Sequence, residues 1–127
     1  MKKIVFILAT LALAVSCTES LEDKAAREAK EYTEKFCPTP FVNGGRTDST
    51  VFDKSTRSYI YYMTLRGKAD NAQVIKANQK QLYNIQKQSL DNNPGLKKYK
   101  EAHFSFRFVY RSAKNPQEVL MDYLFKY

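Results

Sequence analysis

The chain has 127 residues, with 21 basic against 13 acidic side chains and a formal net charge of +8. These residues support one domain. Two cysteines and one histidine leave no framework of several disulfides and no multi-histidine metal site.

Lys2 and Lys3 open the chain, and residues 4–15 form an uncharged, almost wholly apolar run. As a helix that run would span about 18 Å, short of the roughly 30 Å hydrocarbon core of a bilayer. A basic start, a short apolar middle and the small residues Ala14 and Ser16 fit a secretory signal peptide. The stretch LAVSC, residues 13–17, resembles the lipobox of bacterial lipoproteins. The usual leucine three positions before the cysteine is Ala14 here, and Leu13 stands one step earlier. The resemblance implies a cut before Cys17 and a lipid on its thiol. It divides the chain into a signal peptide at 1–16, a lipidated tether at 17–19 and a single domain at 20–127. It also implies an address in the cell envelope, lipid-anchored at the outer membrane and facing the periplasm or the surface. An ordinary cleaved signal and a retained short anchor are the other readings of this segment. The acidic stretch TESLED after Cys17 resembles the surface-export signal of Bacteroidota lipoproteins.

Loss of residues 1–16 removes two lysines and no acid, so the domain stays basic. A basic excess ordinarily raises nucleic acid as a partner. Export replaces that partner with lipid headgroups, lipopolysaccharide and acidic glycans. A solvated basic surface without a partner is the plainer reading.

Ser20 followed by Asp23 has the form of a capping box and opens a helix over residues 20–36. Leu21, Ala25, Ala29, Tyr32 and Phe36 make one apolar stripe, and Pro38 stops the helix at Cys37. CPTPFVNGG is a loop. A strand is expected over 47–53, a turn at 54–56 and a second strand over 57–66 (RSYIYYMTLR). Tyr59, Tyr61, Met63 and Leu65 share one face of that strand; Ser58, Ile60, Tyr62 and Thr64 share the other. Asp70 is expected to cap a second helix reaching residue 90, with Gln73 as its partner. DNNPG ends it, and residues 96–100 hold a short further helical turn. Residues 103–111 (HFSFRFVYR) and 118–127 alternate as strands joined by a turn at 113–117.

The order helix, hairpin, helix, hairpin predicts an α+β fold: a four-stranded antiparallel sheet with helices on one face. The aromatic positions then fill the space between sheet and helices. The outer face carries Ile60, Tyr62, Arg107, Arg111, Leu120, Leu124 and Lys126. That face is mixed, so either part of a helix covers it or it meets a partner. Tyr62, Arg107 and Arg111 are the candidate partner-binding residues on it.

Chemistry is sparse. Cys37 is the one thiol left once Cys17 is lipidated. A redox or nucleophilic role competes with a small buried hydrophobe and with an intermolecular disulfide. The negative end of the helix disfavours a thiolate there, with Lys35 pushing the other way. His103 has no second ligand at metal-site spacing and reads as an edge-strand residue. No catalytic motif, phosphate loop or paired carboxylate is present, and no cofactor is expected. FSFRFVYR interleaves arginine with aromatics, as nucleic-acid sheet platforms do. Its alternation separates Phe from Arg onto opposite faces, which is a core-and-surface pattern.

FCPTP, YIYYMTL, QVIKANQKQLYNIQKQ and FSFRFVY together resemble small Bacteroidota lipoproteins with no assigned activity. The tandem α-β-β order is similar to PepSY and β-lactamase-inhibitor modules. The expected function is that of a non-enzymatic binding module, tethered through the lipid on Cys17 and meeting an envelope protein or an acidic glycan or lipid. An inhibitor or immunity-type protein, and a thiol-dependent redox protein using Cys37, are the alternatives.

Overall fold

A computed structural model describes residues 19–127; the expected signal peptide and Cys17 lie outside the described residues. Helix α1 (Leu21–Phe36) begins at Ser20, whose hydroxyl accepts the Asp23 N–H at 3.0 Å, and ends at Cys37 ahead of Pro38. Strands β1 (Gly45–Asp53) and β2 (Ser58–Leu65) form a hairpin. Helices α2 (Ala72–Ala77), α3 (Gln79–Asp91) and α4 (Lys97–Glu101) follow. Strands β3 (Ser105–Ser112) and β4 (Val119–Lys126) form a second hairpin.

The fold is α+β with one four-stranded sheet in the order β1-β2-β3-β4. The expectation of a wholly antiparallel sheet is corrected: β2 and β3 run parallel, Ser58 opposite Ser105 through Leu65 opposite Ser112. Two hairpins laid side by side can meet in either sense. Here residues 66–104 carry three helices, which return the chain to the end of the sheet where β2 began. A connection that long is what a parallel pair needs.

Two local expectations also change. The second helix is not continuous. At Asn78 the backbone leaves helical geometry (φ −110°, ψ 16°), and its side-chain amide donates to the Val74 carbonyl at 2.8 Å. An asparagine side chain that competes for backbone acceptors loosens a helix at that point. The helix cap is Asn71, which accepts the Gln73 and Val74 N–H groups, and not Asp70. Asp70 is buried and accepts the Lys114 N–H at 3.0 Å, which ties the start of the helical crossover to the β3–β4 turn.

The core lies between the sheet and the helices. Phe52, Tyr59, Phe106, Phe108, Met121, Tyr123 and Phe125 come from one face of the sheet, and Ala25, Ala29, Leu90 and Tyr99 from the helices. Tyr61 stacks on Phe108 at 4.6 Å between centroids, and Tyr99 stacks on Phe104 at 5.5 Å. Such pairs contribute about 0.5–1.5 kcal/mol each beyond the area they bury. Tyr83 of α3 sits 4.8 Å from Phe125. Ala25 and Ala29 let α1 approach closely enough for Thr33 to bond the edge strand: Thr50 N–H donates to the Thr33 hydroxyl at 2.8 Å.

Candidate functional site: the open face of the sheet

Residues of the opposite sheet parity form the face away from this core. The register sets them in rows. One row runs Val51, Ile60, Arg107, Leu124, and the next runs Ser49, Tyr62, Val109, Asp122. Tyr62 therefore lies opposite Val109, midway along β3 between Arg107 and Arg111. The three candidate residues are brought onto adjacent strands in one patch, a placement that alternation alone could not supply.

The face has an apolar floor and a charged frame. Ile60 and Val109 are buried, while Val51 and Leu124 stay 46% and 47% exposed. Arg107 grips Asp122 with two bonds, Nε to Oδ1 at 2.9 Å and Nη2 to Oδ2 at 2.6 Å. That fork holds the Asp122 carboxyl below the usual carboxylate range, against an opposing push from burial. Arg111 donates only to the Pro116 carbonyl, at 3.4 Å, and has no carboxylate partner among the described residues. In the same row, two strands away, Arg46 donates to Asp48 at 2.7 Å, and Asp48 accepts the Thr64 hydroxyl. The patch thus offers Tyr62, an uncommitted guanidinium and exposed aliphatics.

Cys37 lies at the end of α1, half-buried and free. Burial, then the Asp48 charge, push its thiol up, and a bond to Thr33 offsets this in part. The thiolate that redox or nucleophilic chemistry requires is disfavoured there. His103 is in a left-handed turn (φ 62°) before β3, not in the strand, and its Nδ1 lies 3.0 Å from the Tyr127 carbonyl oxygen. Among the described residues no group of three His, Cys, Asp or Glu side chains could hold a metal, and no helix is long and apolar enough to cross a membrane.

The family described as a domain of unknown function, DUF8479, matches residues 20–121. The chain belongs to this family. No curated protein matches this DUF8479 chain. Among solved structures, a Pseudomonas aeruginosa protein thought to be secreted is similar to it, with a TM-score of 0.64 and 12% identity. The alignment covers 85% of the DUF8479 chain and 95% of the Pseudomonas protein. At that identity the likeness is one of fold.

The sequence did not point to the buried residues that fix the DUF8479 domain's frame. Asp70 reads as a helix cap, and Thr33 and Thr50 carry no motif. The one available signal was the doubled cap candidate Asp70 and Asn71, of which a helix needs one.

Proposed function

We propose that the chain is an envelope lipoprotein, anchored by a lipid on Cys17, whose domain works as a non-enzymatic binding module. The open sheet face is the binding surface, with Tyr62, Arg107 and Arg111 at its centre. The partner is an envelope protein or an acidic envelope glycan or lipid. The observation that carries this reading is the sheet face itself. It joins exposed Val51 and Leu124 to Arg111, a guanidinium with no carboxylate partner among the described residues. Exposed apolar area framed by arginine and tyrosine is the composition of recognition surfaces. The address rests on the LAVSC segment, and the secreted character of the Pseudomonas protein of similar fold agrees with it.

Two experiments test the two halves. Mass spectrometry of the protein from membranes should find an acylated N-terminus at Cys17, and Cys17→Ala should release the chain from the membrane. An unmodified terminus elsewhere removes the address. Crosslinking and pull-down of the tethered protein should enrich an envelope component that the double variant Tyr62→Ala, Arg111→Glu no longer captures. Equal capture by the variant removes the face.

A further inference from the structure

The two edges of the sheet are finished differently. On β1, Gly45, Thr47 and Thr50 point their backbone groups away from β2, and each is occupied. Gly45 exchanges bonds with Val42 at 2.8 and 3.0 Å. The Thr47 carbonyl accepts the Thr39 N–H, and the Thr47 N–H donates to the Thr39 hydroxyl, both at 3.0 Å. The Thr33 hydroxyl takes the Thr50 N–H and reaches its carbonyl at 3.0 Å. From Gly45 to Thr50 that edge is closed to a further strand.

The β4 edge is open. Ser105 N–H donates to Arg57, and Ala113 N–H donates to Leu65, so odd-numbered residues of β3 face β2. Ser112 N–H donates to Glu118, so even-numbered ones face β4. The hydrogen-bonded pairs of this hairpin are therefore Phe106 with Phe125, Phe108 with Tyr123 and Tyr110 with Met121. On β4 it is Asp122, Leu124 and Lys126 that turn N–H and C=O outward. Among the described residues these backbone groups have no partner.

Beside this edge a trough of about 450 Å³ separates β4 from α2, with Ile75, Met121 and Tyr123 among its lining. Lys76 lines it as well, and an adjoining hollow continues to Lys80. Lys76, Lys80 and Lys126 have no carboxylate partner among the described residues, and Asp122 is held by Arg107. We propose that the β4 edge and the trough beside α2 form a docking site for an extended acidic peptide, which joins the sheet as a fifth strand. Its backbone pairs with Asp122, Leu124 and Lys126. Alternate side chains turn into the trough, where carboxylates meet Lys76 and Lys80; the others lie beside Leu124 on the open face. A second copy of the chain is the poorer occupant, because it would set the same lysines against one another. The site borders the Tyr62–Arg111 patch and shares Leu124 with it but uses neither Tyr62 nor Arg111, so the double variant Tyr62→Ala, Arg111→Glu should leave peptide binding unchanged.

The test uses the full chain in detergent and a labelled peptide of alternating Glu and Val, followed by fluorescence anisotropy. Two control peptides accompany it: one alternating Lys and Val, and one Glu–Val peptide N-methylated at alternate residues. Binding should be saturable, and about tenfold or more weaker for the Lys peptide and for the peptide methylated on its pairing N–H groups. Leu124→Pro should abolish it. The Leu124 N–H faces outward, so proline removes a docking group and leaves the β3 ladder intact. Lys76→Glu with Lys80→Glu should weaken it without moving the melting temperature. Hydrogen exchange should show peptide-dependent protection in β4. No binding of the Glu–Val peptide, equal binding of the methylated peptide, binding that survives Leu124→Pro, or association only between copies of the chain would each overturn the proposal.

Discussion

Replacing Thr33 with valine keeps shape and removes one hydroxyl, which isolates what that hydroxyl does. It accepts the Thr50 N–H at 2.8 Å, and its oxygen lies 2.9 Å from the Ala29 carbonyl oxygen and 3.0 Å from the Thr50 carbonyl oxygen, within donating distance of both. Thr50 is only 4% exposed, so water has little access to the N–H left behind. Ala29 O keeps the Thr50 hydroxyl at 2.9 Å, so the loss concentrates on the orphaned donor. An unsatisfied buried donor costs about 1–3 kcal/mol, and the value expected here is about 2 kcal/mol. Urea unfolding should show a lower midpoint at unchanged slope. In a thermal melt each kcal/mol moves the midpoint of a domain this size by roughly 4–8 °C. Thr33→Ser keeps the oxygen and should lose less than half as much. A Thr33→Val loss below about 0.5 kcal/mol, within the range of an ordinary surface substitution, would refute the assignment of Thr33 as the partner of the β1 edge. So would a serine variant as unstable as the valine one.

Phe104 is fully buried, stacked against Tyr99 and 5.0 Å from Phe52, and Phe104→Ala should cost about 3–5 kcal/mol in the same unfolding assay. The Asp122 and Asp70 carboxyls are held below the ordinary range, chiefly by bonds from Arg107 and Ser112 respectively. Their contribution is fully present above an unfolded-state value of about 3.9 and is lost as pH falls through the lower folded-state values. Acid titration of the melting temperature should show this, with a smaller drop in Asp122→Asn. Burial pushes Tyr59 and Tyr110 up to about 12. Burial raises Tyr61 and Tyr99 further still. Stability should therefore fall as pH rises from about 10 toward those values, and tyrosinate absorbance should report at least these four rings titrating late. The Cys37 thiol should alkylate with a pH midpoint above that of a free cysteine, and Asp48→Asn should bring the midpoint down.

The elements were largely legible because their signals are local. Ser20 and Pro38 bound α1, DNNPG ends α3, and strict alternation in FSFRFVYR separates core from face. What was hidden depends on contacts distant in sequence. The sense of β2 against β3 follows from how the crossover helices return the chain, and periodicity carries no sign of that direction. Asp70 and Asn71 compete for the same cap, and the choice falls to Asn71 because Asp70 is drawn to the Lys114 N–H far along the chain. Tyr62, Arg107 and Arg111 could be put on a face by alternation but not into one patch, since that needs the register. The open β4 edge left no sequence trace at all, because which strand ends a sheet is a property of the whole fold.

The parallel seam also governs how the chain reaches its structure. Each hairpin closes a short loop, so either can form early and by itself. The β2–β3 ladder joins Ser58 to Ser105 and Leu65 to Ser112, contacts that must await ordering of the intervening helices. Loop closure of that span is costly before any of its contacts form, and high sequence separation slows folding. The domain should therefore assemble as two halves whose meeting sets the rate. A substitution that weakens the crossover, at Asn71 or Leu90 for instance, then acts on the speed of folding as well as on stability.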